Sequence, residues 1–294
     1  MINTYHIPVL LEEVIHYLDP KPGQVFIDGT VGQGGHAKII LEHIVPGGRL
    51  LAIDKDPRNL AVVKEYLAVY SQSVVFICDS YRNLKSLALA HGFSSIDGIL
   101  LDLGFCSSQI EEADRGFSFL HEGPLDMRYH PEDLLTAKEI INEWSQEALK
   151  DIFIRFGEEK EAEKIAVKIV RERKHKPIRT TTQLAELISF IMTRRGKIHP
   201  ATKVFQALRL AVNHELSELE EGLPQAISLL KQGGRLAVIS FHSLEDRIVK
   251  QFFKQQEQKG FIHRLTPFVL TPTKEEQQKN KRARSAKLRV IQKI

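Results

Sequence analysis

The sequence predicts an α/β fold: a parallel sheet interrupted between its fourth and fifth strands by an all-helical insertion. Three observations carry this. Short apolar runs alternate with helical patterns from Gln24 to Gly104; the next strand-like run arrives about 130 residues after the fourth, where one strand–helix–strand unit needs about 30; and the stretch between has helical spacing almost throughout. The expected limits are 1–108 and 215–294 for the sheet domain and 109–214 for the helical insertion.

The first strand is VFID, followed by the glycine-rich GTVGQGGH and the helical AKIILEHI, which PGG at 46–48 closes. RLLAID (49–54) is the second strand, ending on an acid, and DPRNLAVVKEYLAVY opens on Asp-Pro, a helix-start pair. VVFICD (74–79) and IDGILLDLG (96–104) repeat the pattern around the helix NLKSLALAHG. Continuous apolar strands separated by helices indicate strands buried on both faces. Within the insertion, TAKEIINEWSQEALKDIFIRFG, EAEKIAVKIVRER, TTTQLAELISFIMTRRG and KVFQALRLAVNHELSELEEGL each read as helical, with caps expected at Thr180–Thr182 and at the glycines 157 and 196. The sheet resumes at GGRLAVISF (233–241), and LRVIQKI (288–294) is expected as a closing edge strand.

With 294 residues, 43% hydrophobic and 27% charged, the chain has the composition of a globular protein, which excludes disorder and collagen-like order. The net charge of +4 hides an uneven distribution. Residues 171–209 carry +8 and residues 279–293 carry +7, so the remainder carries −11. Two compact basic segments on an acidic body point to a local anionic partner, with a polynucleotide the natural candidate; either run alone reads as solvated surface. Cys78 and Cys106 have neither CxxC nor zinc-ligand spacing, so no disulfide framework and no metal are expected. The acids and proline of the N-terminal MINTYHIPVLLEEVIHYLDPKPG do not suit a signal peptide, and no apolar run is long enough to span a bilayer. A soluble, cytoplasmic protein without membrane contact is expected.

Gly29, Gly32, Gly34 and Gly35 lie between a strand and a helix, where backbone approaches a ligand closely. Asp54 closes the second strand 20 residues beyond Gly34, where a carboxylate can accept both ribose hydroxyls of a nucleoside. The spacing G-x-x-G-x-G-G is not the dinucleotide fingerprint, and nothing later supplies a hydride-transfer site, so an NAD-dependent oxidoreductase is the weaker alternative. S-adenosylmethionine has no phosphate, and a looser glycine loop can hold its ammonium and carboxylate. Asp79 and Tyr81 follow the third strand, where an adenine would be flanked, though a tyrosine there also serves as packing. Asp102 closes the fourth strand, where it would face both cofactor and substrate.

The segments HIPVLLEEV (6–14), DGTVGQGGH (28–36), AIDKDP (52–57), GILLDLG (98–104), DRGFSF (114–119), GPLDMR (123–128), HPATKVFQALRLAVNHEL (199–216), SFHSLEDR (240–247) and RARSAKLR (282–289) run in order along almost the whole chain. Together they resemble the bacterial small-subunit ribosomal RNA cytosine N4-methyltransferase family; GPLDMR and SFHSLEDR are its most specific marks. The resemblance implies a class I Rossmann-like methyltransferase sheet with a helical insertion, S-adenosyl-L-methionine as cofactor, and methylation of the exocyclic N4 of a cytosine in the decoding region of 16S rRNA, within the small ribosomal subunit. It implies cofactor contacts by Gly34, Gly35, His36, Asp54, Tyr81, Asp102 and Gln109. Tyr81 stands where phenylalanine is common, and DLGFCSSQ (102–109) departs from the usual DLGVSSPQ at Cys106 and Ser108.

The N4 amine is a weak nucleophile because its lone pair is delocalised into the ring, so positioning and an acceptor for its proton are what catalysis requires. The (D/N/S)-PP-(Y/F) tetrad of many amine methyltransferases is absent; Asp102 and the loop with Ser107 occupy its place and are the candidate acceptors. His242 is a further candidate, with a structural imidazole as the equal alternative, while Glu245, Asp246 and Arg247 are expected to start a helix and pair locally. Cys106 raises a rival, a cytosine C5-methyltransferase with a cysteine nucleophile, although Phe105 replaces the proline that usually precedes it. A second rival is a catalytically silent rRNA-binding assembly factor. RNA phosphates are expected to meet Arg171, Arg173, Lys174, Arg194, Arg195, Lys197, Lys281, Arg282 and Arg284, and a homodimer is compatible with the sequence. DRGFSF and GPLDMR read either as pocket walls for an extruded base or as a hinge.

Overall fold

A computed structural model describes residues 8–192 and 199–294, without the side chains of Ser107 and Ser108. The chain divides into two units, Met1–Gly104 with Leu216–Ile294, and Phe105–Glu215.

In the first unit the sheet strands are β1 (Val25–Asp28), β2 (Arg49–Asp54), β3 (Val74–Cys78), β4 (Ile96–Asp102), β5 (Leu230–Ser240), β6 (Ile262–Arg264) and β7 (Lys287–Lys293), in the spatial order β3-β2-β1-β4-β5-β7-β6. β1 to β5 are parallel neighbours; β7 runs antiparallel between β5 and β6. This is the doubly wound order with an antiparallel strand added beside β5. The expected edge strand at 288–294 is therefore interior. The edge belongs to the short β6, because FIHR pairs with the outer side of β7.

Alternate side chains on each strand enter separate cores. Phe26, Leu50, Ala52, Leu100 and Ala237 pack with α1 (Leu11–Leu18), α2 (Gly35–Ile44) and α3 (Pro57–Tyr66). Ile27, Leu51, Ile53, Ile99, Leu101 and Val238 face the other way, onto α4 (Leu84–Ala90) and helices that follow the insertion. Asp56 caps α3 by accepting from the Arg58 amide, with Pro57 in the first turn.

The second unit holds α5 (Ser107–Glu111), α6 (Ala137–Glu143), α7 (Gln146–Arg155), α8 (Ala162–Arg173), α9 (Thr181–Ile191) and α10 (Thr202–Asn213). Its core is Ile140, Leu149, Phe153, Ile165, Ile169, Leu184, Ile188 and Leu208, with Leu125 and Met127 from GPLDMR. Two runs expected as single helices are each broken. Trp144 is extended and Ser145 starts α7 by accepting from the Ala148 amide; His214, at φ 55°, ends α10 before α11 (Glu215–Leu229). The Thr180 cap forms as a capping box with Gln183, while the expected cap at glycine 196 lies outside the described residues. DRGFSF and GPLDMR interlock within this unit: Arg115 donates to the carbonyls of Arg128 and Tyr129, and the Phe117 ring stacks on Tyr129 at 5.5 Å. The first unit is completed by α11 from Leu216 onward, α12 (Ser243–Gln258) and α13 (Lys274–Lys279).

Candidate active site

The carboxyl edge of the parallel sheet gathers a glycine loop and three strand-end acids. Gly29 follows β1 so closely packed that a Cβ would stand 2.6 Å from Leu101 Cδ2. Gly34 has φ 83°, and a Cβ there would stand 2.4 Å from Val63 Cγ2, so the turn into α2 requires glycine twice over. α2 then starts at Gly35 and buries His36, whose Nε2 lies 3.0 Å from the Val9 carbonyl oxygen. A carbonyl only accepts, so Nε2 carries a hydrogen.

Asp28, Asp54 and Asp102 end β1, β2 and β4. Asp54 braces the loop: its Oδ2 accepts from the Gly32 amide at 2.8 Å and its Oδ1 from the Asp56 amide at 2.8 Å. Burial pushes its carboxyl up to about 6 against the pull of those amides. Asp28 is 1% exposed, accepts from the Thr30 amide at 3.1 Å, and is pushed by burial to about 7. Asp102 donates its own amide to Thr30 Oγ1 at 2.6 Å, and its Oδ2 lies 3.6 Å from His36 Nδ1. Its Oδ1 is buried without a hydrogen-bond partner among the described residues. Burial first, then the charges of Asp28 and Glu245, hold the Asp102 carboxyl well above the usual carboxylate range.

Asp28 and Thr30 are the site residues the sequence reading missed. The signal for Asp28 was present, since VFID ends on an acid as RLLAID does; nothing in the sequence marks Thr30 as the partner of an amide 72 residues away.

Beyond β3, Asp79 accepts from the Ser80 amide and from Asn83, and so holds the turn that carries Tyr81. The half-buried Tyr81 ring packs on α11, where a Cβ at Gly222 would stand 2.7 Å from its Cδ2. Glu218 of α11 accepts from Ser80 Oγ at 2.8 Å and pairs with Lys55 at 3.2 Å, tying the ends of β2 and β3 to that helix.

After β5, His242 is the N-cap of α12: its Nδ1 accepts from the Glu245 amide, and Glu245 reaches back to the Phe241 and His242 amides. An Nδ1 lone pair used by the cap is withdrawn from proton abstraction, which favours the structural alternative, and Nε2 faces Glu245 Oε1 at 3.1 Å. Asp246 pairs with Lys287 and Arg289 at 3.1 and 2.8 Å.

The comparisons with known proteins agree with this architecture. Residues 3–294 match the model of the MraW methylase family. A ribosomal RNA small subunit methyltransferase H from Dehalococcoides mccartyi is 47% identical over 311 residues, covering 100% of this chain and 88% of that protein. One of the same name from Thermomicrobium roseum is 45% identical over 309 residues, covering 100% and 95%. The chain belongs to the MraW methylase family. A solved structure from Clostridium thermocellum, assigned as an rRNA methylase, aligns with a TM-score of 0.51 at 15% identity over 98% of this chain and 100% of that one, a likeness of fold.

A MraW methylase takes its methyl group from S-adenosylmethionine, and the residues present fit that donor. Three strand-end carboxyls, Asp28 buried and Asp54 and Asp102 half-buried, one with an orphaned oxygen, are readier to ionise beside a positively charged ligand than beside a pyrophosphate. Membership of the MraW methylase family sets the dinucleotide alternative aside.

The other expected residues lie in the helical unit or in the C-terminal run. Gln109 is buried in α5, and its Oε1 accepts from the Cys106 amide at 3.0 Å. Neither Cys106 nor Cys78 is in a disulfide. Arg171 and Lys174 are exposed. Arg173 is a correction: its guanidinium donates to the carbonyls of Ile141 and Trp144 at 2.7 and 2.6 Å, so it locks the end of α8 onto α6 and leaves the RNA-facing set. Arg194, Arg195 and Lys197 lie outside the described residues, as does the Ser107 side chain. In the +7 run, Lys287 and Arg289 answer Asp246, Lys279 answers Glu275 and Lys293 donates to the Ser228 and Leu230 carbonyls, while Lys281, Arg282 and Arg284 lie on the 3-10 turn before β7. No helix among the described residues is long and apolar enough to cross a membrane.

Proposed function

We propose that this methylase transfers a methyl group to the exocyclic N4 of a cytosine in the decoding region of 16S rRNA, within the small ribosomal subunit and in the cytoplasm. The observation that carries the proposal is the orphaned, buried Oδ1 of Asp102, at the edge of β4 beside two further carboxylates. The name shared by the curated relatives, ribosomal RNA small subunit methyltransferase H, supports the substrate.

The donor's sulfonium supplies an activated methyl group when bound. Gly34, Gly35, His36, Asp54, Tyr81, Asp102 and Gln109 are assigned to hold that donor. Asp102 accepts an N–H hydrogen bond from the amine, holding its lone pair out of conjugation, and takes the proton released as the N–C bond forms. A carboxyl that burial makes more basic than an ordinary aspartate is suited to that task. Ser107 is the second candidate acceptor; His242 positions α12 instead. The division into 1–108, 109–214 and 215–294 belongs to the same reading, as do phosphate contacts by Arg171, Lys174, Arg194, Arg195, Lys197, Lys281, Arg282 and Arg284.

The test is mass spectrometry of small-subunit rRNA nucleosides from cells with and without the protein. Loss of one N4-methylated cytidine supports the proposal. Loss of a C5-methylated cytidine, together with an inactive Cys106→Ser variant, would establish the thiol mechanism in its place, and an unchanged nucleoside set would leave an assembly factor.

A further inference from the structure

The phosphate contacts proposed above leave out a large aromatic ring that the helical unit turns to solvent. Phe190 on α9 is 84% exposed, and the Lys168 ammonium sits 5.4 Å from its ring centroid. α9 packs against α8, whose outer face presents Lys164, Val167, Lys168 and Arg171 at three- and four-residue spacing and continues to Lys174 at the C-cap. Glu161 stands at the head of that stripe and pairs with Lys164 at 2.6 Å. Glu163 and Glu172 lie on its flanks, where Lys150 and Lys168 answer them.

We infer that the α8–α9 face docks a single-stranded segment of RNA, with Phe190 as a stacking platform for a base and Lys164, Lys168 and Arg171 as phosphate contacts. The inference rests on the reading of rRNA as substrate and adds a docking subsite to it. One exposed ring and one valine among four cations is the makeup of a single-strand groove, where aromatic faces meet bases and cations follow the backbone. A protein interface of this size would carry an apolar centre depleted of charge, and an anchored membrane face would need more apolar area than these two side chains provide. The cation above the ring suits the same occupant, since Lys168 can exchange its Glu172 partner for a phosphate while a base covers Phe190.

The test reads binding rather than methyl transfer. Fluorescence anisotropy of a labelled 16S decoding-region transcript, repeated with purified small subunits as competitor, is measured for wild type, Phe190→Ala, Phe190→Trp and Lys164→Glu/Arg171→Glu. Phe190→Ala is expected to weaken binding by about fivefold or more, and Phe190→Trp to hold wild-type affinity. The double reversal is expected to reduce the salt dependence of binding by about 1.4 in log–log slope, two phosphate contacts on a single strand. S-adenosylmethionine affinity and thermal stability stay unchanged throughout. Unaltered affinity in Phe190→Ala, or equal loss in Phe190→Trp, overturns the inference. A wild-type protein that binds the transcript and never methylates it would count against the proposed activity and leave this comparison standing.

Discussion

His36 Nδ1 stands 3.6 Å from Asp102 Oδ2 while the Nε2 of the same ring faces the Val9 carbonyl. With Nε2 protonated, the Nδ1 lone pair of the neutral ring points at a carboxyl that burial holds well above its usual range. A cation brought to Asp102 favours its ionised form and so promotes loss of its proton.

The strand-end carboxyls set the pH dependence of cofactor binding. Asp54 and Asp28, held by burial at about 6 and about 7, set the window: S-adenosylmethionine affinity is expected to rise as pH increases through 6–7, with protons released on binding. Calorimetry in buffers of different ionisation enthalpy measures the release. No proton release would mean that these carboxyls are already ionised.

Stability without cofactor follows the opposite direction. Asp28 and Asp54, at about 7 and 6 in the folded chain, retain protons that an unfolded chain loses near pH 3.9. Their contribution is present below about pH 4 and is lost as pH rises through 6 and 7. Thermal unfolding of Asp28→Asn should therefore gain on wild type across that window, and a constant difference between the two would contradict it.

Thr30→Val removes the acceptor for the Asp102 amide and the hydroxyl facing Asp28. A buried amide left unsatisfied costs about 1–3 kcal/mol. The donor KM is expected to rise severalfold, while Thr30→Ser restores it. Steady-state kinetics on the two variants separates a positioning hydroxyl from simple loss of packing, which serine would not repair.

Replacing Gly34 by alanine forces a Cβ into Val63 at positive φ. A loss of about 1–3 kcal/mol in chemical denaturation is expected, with cofactor binding abolished. An alanine variant that binds normally would show that the loop has another conformation.

His242→Ala should cost about 1 kcal/mol through the lost α12 cap, and His242→Asn should recover it with kcat within a few-fold of wild type. A collapse of kcat in a stable His242→Asn protein would return the imidazole to the chemistry.

Local pattern revealed much of this molecule. The first five strands, the Asp-Pro start of α3, and Asp54 and Asp102 as strand-end acids follow from residues close in sequence. What escaped depends on distant partners. Trp144 and His214 sit inside unbroken helical periodicity, and only their backbone angles show the breaks. Arg173 counted as surface charge because its carbonyl partners lie 29 and 32 residues earlier. β7 read as an edge because nothing in LRVIQKI shows that both of its sides are paired.

The most direct measurement incubates purified small subunits with isotopically labelled S-adenosylmethionine and either wild-type or Asp102→Asn protein, and quantifies labelled N4-methylcytidine in the 16S rRNA. Stoichiometric label at one cytidine with wild type, and a loss of at least about a hundredfold with the correctly folded variant, is the expected result. Label at C5, or full activity in Asp102→Asn, would contradict it.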